Sequence, residues 1–251
     1  MKNIAHRGFS GEYPENTMIA FEKAIEIGAD MLELDVTLSK DKIPVVIHDD
    51  TIDRTSNGIG FVKDYSLEKL RELDFGSWKN KKFSNEKIPT LEDVLRLIKK
   101  SSIHLNIEIK SSAHVKKFSK SCIELQVLNL INKYKLMNRI VISSFEPNVL
   151  LRLRKISSKI QLAFLIEPDY KTGEDPVLFV RKIKAVSLNM HKSQVGTHVY
   201  NESKKFNIPI YIYTVNTSKE LEKLIRIGIE GAFTNFPNKL KILNIGKNTG
   251  V

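Results

Sequence analysis

Cysteine is almost missing: the 251 residues hold one, Cys122. A lone thiol excludes an internal disulfide and fits a reducing compartment. Long apolar runs are missing too. No stretch approaches the ~20 residues of a membrane span, and no charged n-region leads into an apolar h-region. The chain is therefore expected to be soluble and cytoplasmic, without stable membrane anchoring. Low-complexity tracts, repeats of solenoid period and a dividing linker are also lacking. With 41% hydrophobic residues, one large core and a single domain over 1–251 are expected.

Acidic residues are in short supply, with 29 Asp and Glu against 40 Lys and Arg, for a net charge of +11. Nucleic acid is the obvious partner for such a balance, but the lysines are spread over every segment and no aromatic-basic recognition motif accompanies them. A lysine-rich solvated surface is the simpler reading, and no nucleic acid is expected. A positive field would still help gather a small anionic substrate. Oligomeric state, monomer or homodimer, is left open.

What is present is an alternation. Strand-like runs "NIAH", "MLELDV", "LNIEIK", "IVISSF", "LAFLI", "AVSLNM", "IYIYTVN" and "GAFTNF" are separated by helical patterns such as "NTMIAFEKAIEIG", "TLEDVLRLIKKS" and "SKELEKLIRIG". Gly28 and Gly228 sit where helix C-termini want them, and Thr90 and Ser218 are candidate N-caps. Eight strands, seven intervening helices and a last short helix near "NKLKIL" match a (β/α)8 TIM barrel, usually ~250 residues long. An open doubly wound sheet is the other architecture with this alternation.

The polar residues favour the barrel because they fall at strand C-termini. His6 and Arg7 end the first strand, Glu33 and Asp35 lie on the second, Glu108 and Lys110 end the third, and Ser143 and Ser144 end the fourth. In a barrel these ends meet on one face. Glu33 and Asp35 are two apart and share a side of the sheet, as do Glu108 and Lys110, so Leu32, Leu34 and Val36 face the helices. An ion pair or exposed edge charges would explain one such pair in isolation. For the whole set, three carboxylates converging inside a barrel need a partner, and a hard divalent cation such as Mg²⁺ or Ca²⁺ suits them.

The second strand continues into "TLSKDKIPVVIHDD", which reads as a hairpin. A turn centred on Lys40 to Ile43 puts Asp35 opposite His48, and directly opposed residues share a face at roughly 5 Å between Cβ atoms. His6 and His48 then converge beside carboxylates, as general acid and base work near neutral pH requires. His104 begins a strand, at the structural end of the barrel. His114, His191 and His198 have no evident partner, and only His191 lies near a strand end.

These residues carry a resemblance. "AHRG", "PENTMIAF", "ELDVTLSKDKIPVVIHDDTIDRTSNGIG", "IPTLEDVL", "LNIEIK", "ISSF", "YTVN" and "GAFTNFP" occur in the order of the glycerophosphodiester phosphodiesterase family, from about Ile4 to Pro237. The resemblance implies a barrel with an insertion after the second strand, here roughly 51–89. It also implies metal-dependent hydrolysis of small anionic glycerophosphodiesters to glycerol 3-phosphate and an alcohol. By matching positions it implies Glu33, Asp35 and Glu108 as metal ligands, His6 and His48 as the acid/base pair, and Arg7 and Lys110 as phosphate holders. A cyclic phosphate intermediate belongs to the same implication.

Two positions depart from the family's pattern. Tyr213 stands where Trp is usual before "TVN", keeping an aromatic wall on the substrate side but adding a hydroxyl. Asn235 stands where Asp is usual after the last strand's Thr. Substrate preference is what these changes are expected to touch. Asn16 and Thr17 match the family's "ENT", for which a helix N-cap is an adequate account. Inside the insertion, "LDFGSWKNKKF" places Phe75, Trp78 and Phe83 among Lys79, Lys81 and Lys82, expected as a cap packed over the barrel mouth rather than a membrane-binding surface. Lysophospholipase D-type activity, or a barrel that binds anions without turnover, are the alternative functions.

Overall fold

The computed structural model describes residues 1–170 and 173–248. The chain opens with β1 (Lys2–Ala5), α1 (Met18–Glu26), β2 (Met31–Leu38) and β3 (Pro44–Val46). A short helix, α2 (Leu67–Glu72), precedes α3 (Leu91–Lys99). Strands and helices then alternate: β4 (His104–Ile109), α4 (Ile123–Tyr134), β5 (Ile140–Ser144), α5 (Pro147–Ile156), β6 (Gln161–Ile166) and α6 (Pro176–Lys182). The last elements are β7 (Ser187–His191), α7 (His198–Lys205), β8 (Ile210–Tyr213), α8 (Ser218–Arg226), β9 (Gly231–Thr234) and α9 (Pro237–Asn248).

All strands but β3 are parallel, and β1 pairs with both β2 and β9, so the sheet closes on itself. This is the (β/α)8 barrel, and the closure rules out the open sheet. Strand alternation sorts the side chains. Leu32, Leu34, Val36, Leu105, Ile107 and Ile109 pack outward into one large core with helix residues such as Phe21, Leu95 and Val127. Inward, Ile4, Met31, Val141, Ala163, Tyr211 and Phe233 fill the barrel floor. Strand register stacks Glu33 beside Asn106, Asp35 beside Glu108, and Glu108 beside Ser143. Polar layers thus stand above an apolar floor.

The helices start and stop on local signals. Thr90 and Asp93 form a capping box on α3, and Pro147 and Pro176 occupy the first turns of α5 and α6. Thr217, not Ser218, caps α8, completing a box with Glu220. Several expected strands are too long: the ladders stop at Ala5, Ile109 and Tyr213, so His6 and Lys110 sit one residue past a strand end.

The hairpin register differs by one residue from the expectation. Val36 pairs with Val46 and Thr37 with Val45, and Ile47 N–H donates to Asp35 O, so Ile47 rather than His48 lies opposite Asp35. The turn is longer because Ser39 Oγ accepts from Ile43 N–H and donates to Asp41, closing the loop outside the ladder. His48 reaches the barrel mouth by a bend after β3. The segment that follows builds its own apolar cluster of Ile47, Ile52, Val62, Leu70, Phe75 and Ile88 with Val45. Among the described residues none of 51–89 lines the cavity at the mouth, so this segment does not form the expected cap over it.

Candidate active site

The C-terminal ends of the barrel strands surround a cavity of about 830 Å³. His6, Arg7, Glu33, His48, Glu108, Lys110 and Tyr213 all line it. Asp35, fully buried, is tied to that lining through Arg7 and Lys110. Every candidate residue from the sequence therefore meets at one end of the barrel.

Local backbone geometry explains the "HRG" start. Arg7 has φ 56° and Gly8 φ 78°, a left-handed turn directly after β1. It aims the Arg7 N–H at Glu33 Oε2, 2.9 Å away. A Cβ at Gly8 would lie 2.7 Å from the Ala20 carbonyl carbon, so the close approach of α1 requires glycine there. A non-glycine residue in this region is uncommon and costs strain, which the surrounding contacts of Arg7 offset.

One oxygen each of Glu33, Asp35 and Glu108 lie within 4.8 Å of one another. Burial, with Asp35 and Glu108 as neighbours, pushes the Glu33 carboxyl well above the usual range, and burial with Asp35 raises Glu108. Burial also works against the Asp35 charge, but Arg7, Lys110, His48 and the Asn16 amide outweigh it and hold this carboxyl low. Lys110 Nζ donates to Glu108 Oε1 at 2.9 Å and lies 3.6 Å from Asp35 Oδ1. Arg7 Nε lies 3.4 Å from Asp35 Oδ2. Carboxyls driven upward by burial and by their carboxylate neighbours mark a place short of positive charge. An all-oxygen donor set of this kind fits a divalent cation.

The two histidines are held differently. His6 Nδ1 lies 2.7 Å from Asn235 Oδ1, an acceptor, so Nδ1 carries the proton and Nε2 presents a lone pair. Burial, followed by the Arg7 charge, lowers the His6 pKa to about 4. His48 Nδ1 meets Asp49 Oδ1 at 2.6 Å. Arg54 in turn grips Asp49 and Glu15, and Glu15 Oε1 accepts from Arg7 Nη1 at 2.8 Å.

Several participants escaped the sequence reading. Asn16 does not cap α1, a task that falls to Thr17; its amide donates to Asp35 Oδ2 at 2.9 Å. Asn235 meets His6 rather than the substrate side of the cavity. Glu15, Asp49 and Arg54 lie in quoted motifs but had no partner visible from spacing. His191 joins the rim, its ring 5.8 Å from that of Tyr213. Residues left outside behave as expected or find structural work. His104 starts β4 at the opposite end of the barrel, and Cys122 is buried at the start of α4. His114 pairs with the buried Glu124, and Ser144 donates to Ile109 O.

Residues 6–239 match the glycerophosphoryl diester phosphodiesterase family. The chain belongs to that family. Among its members, a glycerophosphodiester phosphodiesterase of Caldanaerobacter subterraneus is 38% identical over 238 residues, 94% of this chain and 95% of that one. A glycerophosphodiester phosphodiesterase of Bacillus altitudinis is 36% identical, over 95% and 96% of the two chains. An Oleispira antarctica phosphodiesterase, solved in complex with the product sn-glycerol-3-phosphate, superposes with a TM-score of 0.87 at 26% identity. It covers 98% of this chain, which spans 97% of it.

Against the family's usual Trp, Tyr213 keeps an aromatic wall, edge-on to Phe145 at 5.9 Å. Its hydroxyl proton is already committed, donated to Ile166 O at 2.6 Å. Tyr213→Phe should therefore leave kcat/KM within about twofold and cost about 1 kcal/mol of stability through the lost bond. Steady-state kinetics and thermal denaturation check this. A rise in KM of about tenfold or more would place the hydroxyl on the substrate instead.

Proposed function

We propose that this chain hydrolyses glycerophosphodiesters to glycerol 3-phosphate and an alcohol, acting as one catalytic domain with 51–89 as an insertion. The observation that carries the reading is the trio of buried Glu33 and Asp35 with half-buried Glu108, flanked by Arg7 and Lys110 in a barrel of this family. Those carboxylates would hold one divalent cation, Mg²⁺ or Ca²⁺, which supplies positive charge for the phosphoryl oxygens and acidifies a hydroxyl beside it.

The chain's own groups divide the remaining work. Arg7, a planar donor fork, and Lys110, a point charge, hold the phosphoryl oxygens. His6 Nε2 takes the proton of the glycerol hydroxyl adjacent to the phosphorylated carbon. That oxygen bonds to phosphorus, the bond to the alcohol breaks, and His48 protonates the departing oxygen. Water then opens the cyclic phosphate: His48 removes its proton, and His6 returns the first proton to the glycerol oxygen. Each proton transfer contributes typically ~10²–10⁴ in rate.

A screen of soluble glycerophosphodiesters against lysophospholipids, with coupled detection of glycerol 3-phosphate, tests the reading. Release of glycerol 3-phosphate from the soluble diesters is expected. Turnover confined to lysophospholipids would favour the phospholipase D alternative, and binding without turnover would favour the anion-binding barrel.

The protonation state of His6 is separately testable. Because burial and Arg7 hold its pKa at about 4, the ring stays neutral as pH falls through the ordinary histidine range near ~6.5. A cation on the neighbouring carboxylates acts in the same direction. An NMR titration of the His6 ring should show no second proton gained above about pH 5. A midpoint near ~6.5 would show that burial and Arg7 do not hold this ring neutral in the way described.

The same reading includes no membrane contact and a cytoplasmic location. Among the described residues no helix is long and apolar enough to cross a membrane. Phe75 and Phe83 are buried, Trp78 Nε1 donates to Phe75 O, and Lys79 Nζ donates to the carbonyls of Ser10 and Gly11. Phe75, Phe83 and Lys79 are thus engaged within the protein while the Trp78 ring stays partly exposed, and the protein should stay in the supernatant when sedimented with anionic vesicles. Co-sedimentation that disappears in Trp78→Ala would reverse this.

A further inference from the structure

The groups assigned above to phosphate and to proton transfer are physically joined through one residue of the insertion. Arg54 donates from Nε to Asp49 Oδ2 at 2.7 Å and from Nη2 to Asp49 Oδ1 at 3.1 Å. On its other side Nη1 donates to Glu15 Oε2 at 2.9 Å and Nη2 to Glu15 Oε1 at 2.8 Å. The oxygens it grips are shared. Glu15 Oε1 also accepts from Arg7 Nη1, and Asp49 Oδ1 also meets His48 Nδ1. Arg7, Glu15, Arg54, Asp49 and His48 form a continuous chain of charge-assisted bonds along the rim.

We infer that Arg54 is a positioning residue that sets the Arg7 guanidinium and the His48 imidazole as one unit. The inference rests on the roles of Arg7 and His48 proposed above. Its physical basis is the guanidinium fork, whose donors lie in one plane and fix two carboxylates relative to each other; an ammonium presents a point charge and cannot do so. The insertion supplies the rigidity. Ile52, two residues away, is fully buried in the insertion's apolar cluster, and Asp53 accepts from Gly60 N–H. Without the fork, Glu15 and Asp49 each keep one cationic or imidazole partner but lose their mutual orientation. Arg7 and His48 then drift independently, so substrate binding and the chemical step suffer together.

The test is a kinetic series on the full chain with a soluble glycerophosphodiester. Arg54→Ala is expected to lower kcat about 30-fold or more and raise KM about tenfold, with an unchanged melting temperature because the residue is half exposed. Arg54→Lys should recover little of either. Guanidinium ion added to Arg54→Ala at sub-denaturing concentration should restore part of kcat, which a purely structural loss would not allow. Combined with Glu15→Gln and Asp49→Asn, Arg54→Ala should add little further loss, since the partners it orders are already altered.

Wild-type kinetics in Arg54→Ala, or full activity in Arg54→Lys, would overturn the proposal. A lowered melting temperature without guanidinium rescue would also overturn it, as a structural role. Should Arg54→Ala fail to fold, Arg54→Lys decides alone. Arg7→Ala and His48→Ala belong in the same series: if both stay active, the assigned roles fail; if both lose activity while Arg54 variants do not, this inference alone fails.

Discussion

Replacing the glycerol hydroxyl beside the phosphorylated carbon by hydrogen is expected to stop turnover while leaving binding in place. The reason lies in what surrounds the cavity. Ser143 Oγ accepts from the Asn106 amide, Ser144 donates to a main-chain carbonyl, and Ser112 donates to Asp50, tying two loops together. Cys122 is buried at the start of α4, outside the cavity lining. His191 Nδ1 meets Ser193 Oγ at 2.8 Å, but Ser193 is exposed and lies outside the cavity lining, and among the described residues no other lining histidine is paired with a hydroxyl or thiol. The glycerol hydroxyl, held next to phosphorus, has an effective concentration of roughly 10⁵ M or more over an external attacker. Its removal should therefore reduce kcat by at least about 10³-fold. Calorimetric titration should still detect the analogue, because Arg7 and Lys110 hold the phosphoryl group. An analogue turned over at an undiminished rate would exclude internal attack and leave water as the nucleophile.

Excess chelator should silence the protein to a comparable extent, about 10³-fold or more in kcat/KM, with recovery on adding Mg²⁺ or Ca²⁺. Three carboxylates with oxygens within 4.8 Å repel one another, and two adjacent cationic side chains do not relieve Glu33 and Glu108, whose carboxyls remain raised. Glu33→Ala should abolish cation binding measured by calorimetry as well as activity. Glu33 Oε2 also accepts the Arg7 N–H, so the variant should loosen the left-handed turn at Arg7. Full activity in excess chelator, or in Glu33→Ala, would remove the cation from the reading.

Patterns of period two were legible because they are local. Glu33 with Asp35, and Glu108 with Lys110, had to share a side of their strands wherever those strands ended up. The alternation of strand and helix gave the barrel, and the barrel brought the strand ends together. Positions beyond the ladders were harder. His48 was placed at the site through a pairing one residue out of register; it arrives because the chain bends after Val46, and Ser39 closes a longer turn than the sequence suggested.

The amino-acid sequence by itself determined the strand–helix alternation, the inward carboxylates, His6 at the end of the first strand and the family to which the chain belongs. Tertiary structure decided the long-range contacts that orient them, beside local ones such as Asp49 on His48 and Lys110 on Glu108. Asn235 lies 229 residues from His6 in the chain, and Arg54 lies 39 from Glu15, yet each pair is in hydrogen-bond contact. Asn16 passed for a helix cap because an amide before a helix looks the same whether it bonds its own backbone or Asp35 across the barrel mouth. Periodicity reports which face a residue occupies within its own element. It carries no information about which loop of another element folds back to meet that residue, and these long-range contacts are all of that second kind.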